Sequence, residues 1–363
     1  MYDYLVVGAG LFGSVFAYEA TKRGKTCLVI DKRNHIGGTC FTRKVQGINV
    51  HQYGAHIFRT DSKEIWEYMN QFAEFNRFTN CPVANYNGKL YSLPFNMNTF
   101  YQMFGARNPF EAEAYLERDR VHCEKPRNLE EYCLATVGKK IYETLVKGYT
   151  EKQWHKKCSE LPPDILTLPL RFTFDNNYFN ERYQGVPIGG YTQIFVKMLE
   201  GSTVALGEDF IADREKFEGV AKKIVYTGKI DDFWYKFLGE LEYRSLRFEH
   251  VVRAVSNLQG NAVVNFTSGD VPYTRKIEHK HFEGTQSPYT VITREYPADY
   301  DGFNEPFYPI NTPKNQWLYK QYQVLSDGLS DVLFGGWCGS YSNDTMDTTV
   351  QKALELVNKE LGE

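Results

Sequence analysis

The chain has 363 residues, of which 42% are hydrophobic and 24% are charged, and its formal net charge is -3. This composition is typical of a soluble globular protein with two or three domains and a large core. The small negative charge excludes a global basic field for nucleic acid or for an anionic membrane, so an anionic ligand needs a local cluster of cations.

The seven cysteines are scattered and odd in number, and no C-x-x-C pair occurs. A disulfide framework and a metal site are therefore not expected. The cysteine pattern instead fits a reducing cytoplasm. The chain begins directly on an apolar strand, and no apolar run reaches about 18 residues, which a membrane-spanning helix needs. We therefore expect a cytoplasmic protein without a leader or a membrane span.

An apolar strand at residues 4–7 leads into the glycine turn Gly8-Ala9-Gly10-Leu11-Phe12-Gly13, and a helix, a second strand and Asp31 follow. This order indicates a βαβ unit in which the first glycine makes the turn, the second admits a pyrophosphate and the third lets the helix pack on the strand. Asp31 is placed to accept hydrogen bonds from a ribose diol. The Gly37-Gly38 pair that follows resembles two-dinucleotide-domain flavoproteins and favours FAD over NAD.

A series of helices comes next. Asp61 is expected to cap a helix over residues 61–72, with Glu64 completing a capping box. Further helices are predicted from Asn98, over residues 109–116 and over residues 128–153. Residues 161–170 contain three prolines, which exclude a regular helix and predict an irregular loop.

Strands dominate the rest of the chain. A strand and a turn are predicted over residues 171–179, and an amphipathic helix ends near Leu199. The pattern over residues 241–295 is β, with a hairpin about Ser268-Gly269-Asp270. On its second strand, the alternation of side chains gives Arg275 an aromatic neighbour, Tyr273, on the same face. Strands that return to the cofactor sheet are predicted at residues 204–207, 224–228 and 332–336, and a terminal helix begins at about Thr348.

We therefore predict an α/β protein in which a Rossmann-like FAD-binding domain carries an inserted helical-bundle domain and an antiparallel β-sheet domain. The FAD-binding domain is assigned residues 1–60, 186–240 and 326–363, the helical domain residues 61–160, and the substrate domain residues 161–185 and 241–325.

Several long motifs resemble those of the UDP-galactopyranose mutases, namely Gly54-Ala55-His56-Ile57-Phe58, Asn76-Arg77-Phe78-Thr79-Asn80, Leu93-Pro94-Phe95-Asn96-Met97-Asn98 and the stretch from Gly148 to Trp154. The resemblance covers nearly the whole chain. It implies an isomerase that interconverts UDP-galactopyranose and UDP-galactofuranose without net redox change, in which N5 of reduced FAD attacks the anomeric carbon as UDP leaves. It also implies a homodimer in the cytoplasm that serves cell-surface polysaccharide biosynthesis.

The resemblance also assigns the site residues, and it implies no metal. The catalytic residues are His56 beside the flavin, Arg275 as a fork for the phosphates and Tyr308 as a hydroxyl donor. The substrate-binding residues are Arg59, Asn80, Tyr149, Thr150, Trp154, Arg171, Tyr178, Asn265, Tyr341 and Asn343. The cofactor-binding residues are Gly8, Gly10, Phe12, Gly13, Asp31, Lys32, Gly38, Thr39, His56, Ile57, Phe210 and Gly336. Core packing is the alternative for Tyr149 and Trp154.

The chain departs from the family pattern at three places. The proline loop lacks the arginine that precedes L-P-x-R in the family. Trp337 replaces an arginine at the FAD pyrophosphate, and Asn343 replaces a phosphate-binding tyrosine. Each lost charge-assisted bond is worth about 1.5–3 kcal/mol, so weaker FAD and UDP binding is expected, partly offset by Tyr341. Arg59 replaces a second histidine, and our hypothesis is that it lets UDP-N-acetylgalactosamine react as well.

Two other functions remain open. A flavin-dependent amine oxidase or related dehydrogenase shares the first βαβ unit and the Gly-Gly pair, and it would consume oxygen or oxidise its substrate. A nucleotide-sugar-binding relative that has lost catalysis would bind UDP without turning the sugar over.

Overall fold

The structure is a computed structural model that describes residues 1–362. The strands, in chain order, are β1 (Tyr2–Val7), β2 (Cys27–Asp31), β3 (Thr42–Val45), β4 (Ile48–His51), β5 (Phe58–Thr60), β6 (Val83–Tyr86), β7 (Lys89–Ser92), β8 (Tyr183–Gly185), β9 (Thr203–Leu206), β10 (Ala221–Tyr226), β11 (Tyr243–Arg253), β12 (Val263–Phe266), β13 (Arg275–Glu278), β14 (Thr290–Asp299), β15 (Pro306–Pro309) and β16 (Val332–Phe334).

The α-helices, in chain order, are α1 (Leu11–Lys22), α2 (Lys63–Asn70), α3 (Met97–Phe104), α4 (Pro109–Asp119), α5 (Leu129–Thr136), α6 (Gly138–Ile141), α7 (Lys147–Trp154), α8 (Thr192–Leu199), α9 (Ile230–Phe233), α10 (Lys280–Glu283), α11 (Pro313–Asp327), α12 (Gly336–Gly339) and α13 (Met346–Leu361). Within the described residues, no helix combines the length and the apolar character that a membrane span requires.

A five-stranded parallel sheet in the order β16-β10-β1-β2-β9 forms the first layer. Its central strands β1 and β2 are mostly apolar on both faces, as expected for a covered parallel sheet, and α1 packs against α8 and α13 beside it. The predicted βαβ unit is confirmed as β1-α1-β2, and the predicted returning strands are β9, β10 and β16. Because all five strands run in the same direction, their carboxyl ends meet at one edge.

A seven-stranded sheet in the order β15-β11-β14-β13-β12-β6-β7 forms the second body. Its pairs are antiparallel except for β6 with β12. The predicted hairpin is confirmed, with Asn265 opposite Arg275. The α/β fold class with an antiparallel β-sheet body is therefore confirmed. The segment predicted as helical, residues 61–160, also contains β6 and β7.

The helices between residues 97 and 154 bury a core of their own around Phe100, Leu116 and Ile141. The continuous helix predicted over residues 128–153 is wrong. It is interrupted at Gly138, where φ is +81°, and again by a π-helical turn over Tyr142–Val146 before α7 begins. A left-handed residue ends a helix and a π turn adds a residue to it, so α7 presents a different face from that of an unbroken helix.

Three local predictions differ from the structure. The N-cap of α2 is Ser62 and not Asp61: its Oγ accepts the Ile65 N–H at 3.2 Å. Residues 171–179 form no strand. The 15-residue helix α11 was not predicted; its sequence is polar and aromatic, and only a few positions, such as Leu318 and Tyr322, are buried, so its apolar periodicity is weak.

Candidate active site

One cavity of about 760 Å³ lies where the carboxyl edge of the five-stranded sheet faces the seven-stranded sheet. The parallel sheet contributes the residues that follow β1, β2, β10 and β16, and the other sheet contributes side chains from β11 to β15. A volume of this size is within the usual range for cofactor and ligand sites, and the carboxyl edge of an open α/β sheet is where such ligands bind.

Glycine backbone forms one end of this cavity, which we call the glycine cradle: Gly8, Gly10, Gly13 and Gly38. Gly8 has φ +113°, and a Cβ there would overlap Thr227 Oγ1. A Cβ at Gly38 would lie 3.1 Å from the Cα of Gly10, so the two turns face each other backbone to backbone. Such a surface lets peptide N–H groups approach a pyrophosphate closely.

The Asp31 carboxylate stands beside the cradle at the end of β2. Its Oδ2 accepts the Ala9 N–H and its Oδ1 accepts the Arg33 N–H, each at 2.9 Å. These two bonds fix the carboxylate and leave lone pairs for a ribose diol. The cradle and this acid together fit a dinucleotide.

A row of polar side chains crosses three neighbouring strands at the other end of the cavity. Asn265 on β12 is opposite Arg275 on β13, and Arg275 is opposite Glu295 on β14. Arg275 Nη1 lies 3.6 Å from Glu295 Oε1, and Glu295 is only 2% exposed. This carboxylate balances the arginine charge, and Tyr149 also contacts the guanidinium group, whose remaining N–H groups can donate to an anion.

Tyr308 lines the same part of the cavity from β15. Burial raises the pKa of its hydroxyl, with the nearby Glu295 carboxylate adding to the effect. The hydroxyl therefore stays protonated at neutral pH and can donate a hydrogen bond to a phosphate or sugar oxygen.

The loop from Tyr53 to His56 lines the middle of the cavity. Burial lowers the pKa of His56, so its ring is neutral, and Nδ1 lies 3.0 Å from the Gly54 carbonyl. Nδ1 must then carry the proton, and Nε2 is left as an acceptor. Behind it, His51 Nδ1 accepts the His56 N–H at 3.1 Å, and burial lowers the pKa of His51 to about 3.

Arg59 and Tyr178 lie on the wall beyond this loop. The Arg59 guanidinium pairs with Glu181 and lies 4.3 Å from the centroid of the Phe179 ring. Tyr178 donates its N–H to the carbonyl of Asn80 at 2.8 Å. These bonds hold a cation, an aromatic ring and an amide on one wall of the cavity.

All twelve residues predicted to bind the cofactor line the cavity, and so do Arg275 and Tyr308. Of the residues predicted to bind substrate, Arg59, Asn80, Tyr178, Asn265 and Asn343 line it. Tyr149, Thr150, Trp154, Arg171 and Tyr341 do not.

The three residues on α7 lie outside the cavity lining. Thr150 is 2% exposed, and Trp154 packs against the helical core. Tyr149 lies next to Arg275, outside the cavity wall; burial raises the pKa of its hydroxyl, and the arginine opposes this shift. Tyr149 therefore contacts Arg275, which lines the cavity, but does not line the cavity itself. Thr150 and Trp154 are packing residues in this structure.

Arg171 and Tyr341 bind backbone carbonyls instead of lining the cavity. Arg171 donates to the carbonyls of Asn177 and Tyr178 and to the Asn180 side chain, so it shapes the segment that carries Tyr178. Tyr341 is 2% exposed, and its hydroxyl donates to the carbonyls of Glu242 and Ile310 at 2.6 and 3.0 Å. It therefore cannot replace a missing phosphate contact.

Sequence reasoning missed Glu295, Phe179 and Lys229, which also line the cavity. Glu295 could have been found from strand pairing, because a half-buried arginine on one strand favours an acid on the next. Phe179 and Lys229 gave no comparable signal. Among the described residues, no group of three or more His, Cys, Asp or Glu side chains is arranged to hold a metal ion.

The parallel sheet, the glycine cradle and Asp31 define a dinucleotide-binding protein of the Rossmann type. Comparisons with known proteins are more specific. The profile described as UDP-galactopyranose mutase matches residues 144–343, and an NAD(P)-binding Rossmann-like profile matches residues 6–72. The chain belongs to the UDP-galactopyranose mutase family. It is an isomerase of this family, and its cofactor is FAD.

Individual relatives span almost the whole chain. It is 38% identical to the "Probable UDP-galactopyranose mutase" of Klebsiella pneumoniae, over 98% of this chain and 94% of that one. It is 32% identical to the dTDP-fucopyranose mutase of Escherichia coli, over 98% and 97%. The fold also matches a crystal structure of reduced UDP-galactopyranose mutase with a TM-score of 0.77 at 13% identity, covering 100% of this chain and 94% of that one.

Proposed function

We propose that this chain interconverts UDP-galactopyranose and UDP-galactofuranose with FAD in its reduced form. The observation that carries the proposal is the polar row of Asn265, Arg275 and Glu295, which faces the same cavity as the glycine cradle. A nucleotide sugar whose diphosphate lies on Arg275 has its sugar between that arginine and the cofactor end. Relatives of both the UDP-galactopyranose and the dTDP-fucopyranose type support the mutase class.

Reduced FAD supplies the nucleophile when it is bound. The chain supplies the rest: Arg275 holds the diphosphate as it departs and returns, and Tyr308 donates to it. His56 presents Nε2 as an uncharged acceptor, so it adds no positive charge to the part of the cavity wall that it forms. Asn80, Tyr178, Asn265 and Asn343 offer hydrogen bonds to the sugar and the nucleotide.

Family resemblance also supports a proposal about the oligomeric state and the cellular location of the enzyme. We propose a homodimer in the cytoplasm that produces galactofuranose for cell-surface polysaccharide. Analytical ultracentrifugation tests the dimer directly. A monomer at micromolar protein concentration would exclude the proposed homodimer.

The experiment on function is a substrate panel. The reduced protein is incubated with the furanose forms of UDP-galactose, UDP-N-acetylgalactosamine and dTDP-fucose, and the ring isomers are separated by chromatography. The highest kcat/KM is expected for UDP-galactofuranose. A clear preference for dTDP-fucose would replace the proposed substrate, and oxygen consumption with substrate oxidation would favour an amine oxidase-like enzyme.

Arg59 is expected to decide between galactose and N-acetylgalactosamine. It lines the cavity with a charged guanidinium, and a bond from it to a substituent at the sugar 2-position is worth about 1.5–3 kcal/mol. Arg59→His should therefore lower the turnover of UDP-N-acetylgalactosamine relative to UDP-galactose by about tenfold or more. Glu181→Gln, which frees the same arginine from its partner, is the matched control and should keep the ratio nearer to that of the wild type. An unchanged ratio in Arg59→His would exclude this role.

A further inference from the structure

Lys229 is a buried lysine that follows β10 at the carboxyl edge of the parallel sheet. It comes directly after Thr227 and Gly228, which border the glycine cradle, and it lines the main cavity. Its side chain is 7% exposed. Since ligands of open α/β sheets bind at this edge, Lys229 is on the cofactor side of the cavity.

Few other cations are available on that side. The cations that line the cavity are Lys32, Arg33, Arg59, Lys229 and Arg275. Arg59 and Arg275 belong to the sugar end. The Lys32 side chain is 51% exposed, and a solvated lysine contributes little to a buried charge. Arg33 has only Nε left to donate, because its two terminal nitrogens are already bound to Asp31 and Glu305.

Lys229 keeps its charge and retains a free donor. Nζ lies 2.9 Å from Asp232 Oδ1 and 3.9 Å from Asp231 Oδ2. Burial opposes the charge of Lys229, but the two carboxylates outweigh burial and raise its pKa. An ammonium group has three protons, so the bonds to Asp232 and to the Tyr300 hydroxyl leave one proton for an anionic ligand.

Trp337, which follows β16 on the neighbouring strand, contributes no charge. Its ring centroid is 6.2 Å from that of Tyr243, and Lys229 Nζ is 5.6 Å from the same Tyr243 centroid. Both side chains therefore lie near the Tyr243 ring at adjacent strand ends, and of the two only Lys229 is charged.

We propose that Lys229 is a cofactor-binding residue that donates to the diphosphate bridge of FAD and supplies the charge that Trp337 lacks. A compact ammonium group suits this task as a point charge toward phosphate oxygens. This assignment does not depend on which sugar reacts, because it concerns the cofactor alone.

The test is the affinity of the flavin-free protein for FAD, measured by fluorescence titration. Lys229→Gln is expected to raise the Kd at least tenfold and to weaken its dependence on salt. Lys236→Gln is the matched control: Lys236 lies on the same stretch, pairs with Glu240 and does not line the main cavity. Adding Trp337→Arg to Lys229→Gln should restore most of the lost affinity, because it returns a cation to the same region.

If Lys229 had a purely structural role, the variant would show a different combination of stability and FAD affinity. Lys229→Gln would then lower the melting temperature of the flavin-free protein and leave the Kd for FAD unchanged, which would overturn the proposal. If Lys229→Gln does not fold because Asp232 loses its partner, the comparison is made in the Asp232→Asn background, where that carboxylate is neutral. Equal Kd values with and without Lys229 in that background would overturn the proposal equally.

Discussion

Arg275→Met is expected to lower kcat/KM for the nucleotide sugar by about 10²- to 10⁴-fold while FAD stays bound. Methionine removes the fork that holds phosphate oxygens, and two charge-assisted bonds together are worth about 3–6 kcal/mol. Arg275 is on β13, on the far side of the cavity from the glycine cradle, so the cofactor should be retained. The measurement is turnover by chromatography, with the flavin content taken from absorbance.

Two further variants make this result interpretable. Arg275→Lys keeps the charge beside the 2% exposed Glu295 but loses the fork, so its activity should fall between that of Arg275→Met and the wild type. Arg247→Met is the matched control, since Arg247 is exposed and lies 4.0 Å over the Tyr296 ring. Activity of Arg275→Met within threefold of the wild type would contradict the assignment of the diphosphate to this arginine.

Gly8→Ala is expected to yield protein with little or no FAD and to cost more than about 3 kcal/mol in the free energy of unfolding. The new Cβ would overlap Thr227 Oγ1, and a left-handed or more extreme φ adds about 1–3 kcal/mol of backbone strain. Thr227 Oγ1 also donates to the Val7 carbonyl at 2.8 Å, so its displacement breaks a bond between β1 and the end of β10. Denaturant unfolding and the ratio of flavin to protein measure the two effects.

Gly24→Ala provides the comparison. Gly24 also has a positive φ, +74°, but no atom lies within 4 Å of its added Cβ. The cost should be about 1–2 kcal/mol, from the left-handed conformation alone, and FAD should be retained. If Gly8→Ala bound FAD as tightly as Gly24→Ala does, the glycine cradle would not be the cofactor site.

The cofactor end of the site could be predicted from the sequence because its geometry is local. Gly8, Gly10 and Gly13 are within one turn, and Asp31 is at the end of the next strand, so strand and helix periods fix their positions. Gly38 and Gly336 come from other segments of the chain. They are in backbone turns at the same sheet edge, where their positive φ angles favour glycine.

The sugar end was predicted less well because its geometry depends on tertiary contacts. Tyr149 and Trp154 are on α7, which follows a π-helical turn over Tyr142–Val146, and neither lines the cavity. Arg171 binds the carbonyls that carry Tyr178, and Tyr341 binds those of Glu242 and Ile310. Motif position indicated that these residues are near the site, but not which groups their side chains bind.

Motifs alone gave an incomplete account of the charged residues at the cofactor end of the cavity. Trp337 suggested a loss of affinity, and Tyr341 was expected to offset it. The structure adds a buried lysine, Lys229, which comes from a different strand end and lies near the same Tyr243 ring as Trp337. A substitution at one position of a family motif is therefore interpretable only when the residues that pack against it are known.

The most direct test of this account is to incubate the purified protein with UDP-galactofuranose, once oxidised and once reduced with dithionite, and to follow the ring isomers by chromatography beside the flavin spectrum. The account predicts bound flavin in both samples and UDP-galactopyranose only in the reduced one, with no net oxidation of flavin or sugar. Bound flavin without isomerisation in the reduced sample, or equal isomerisation in both samples, would contradict it.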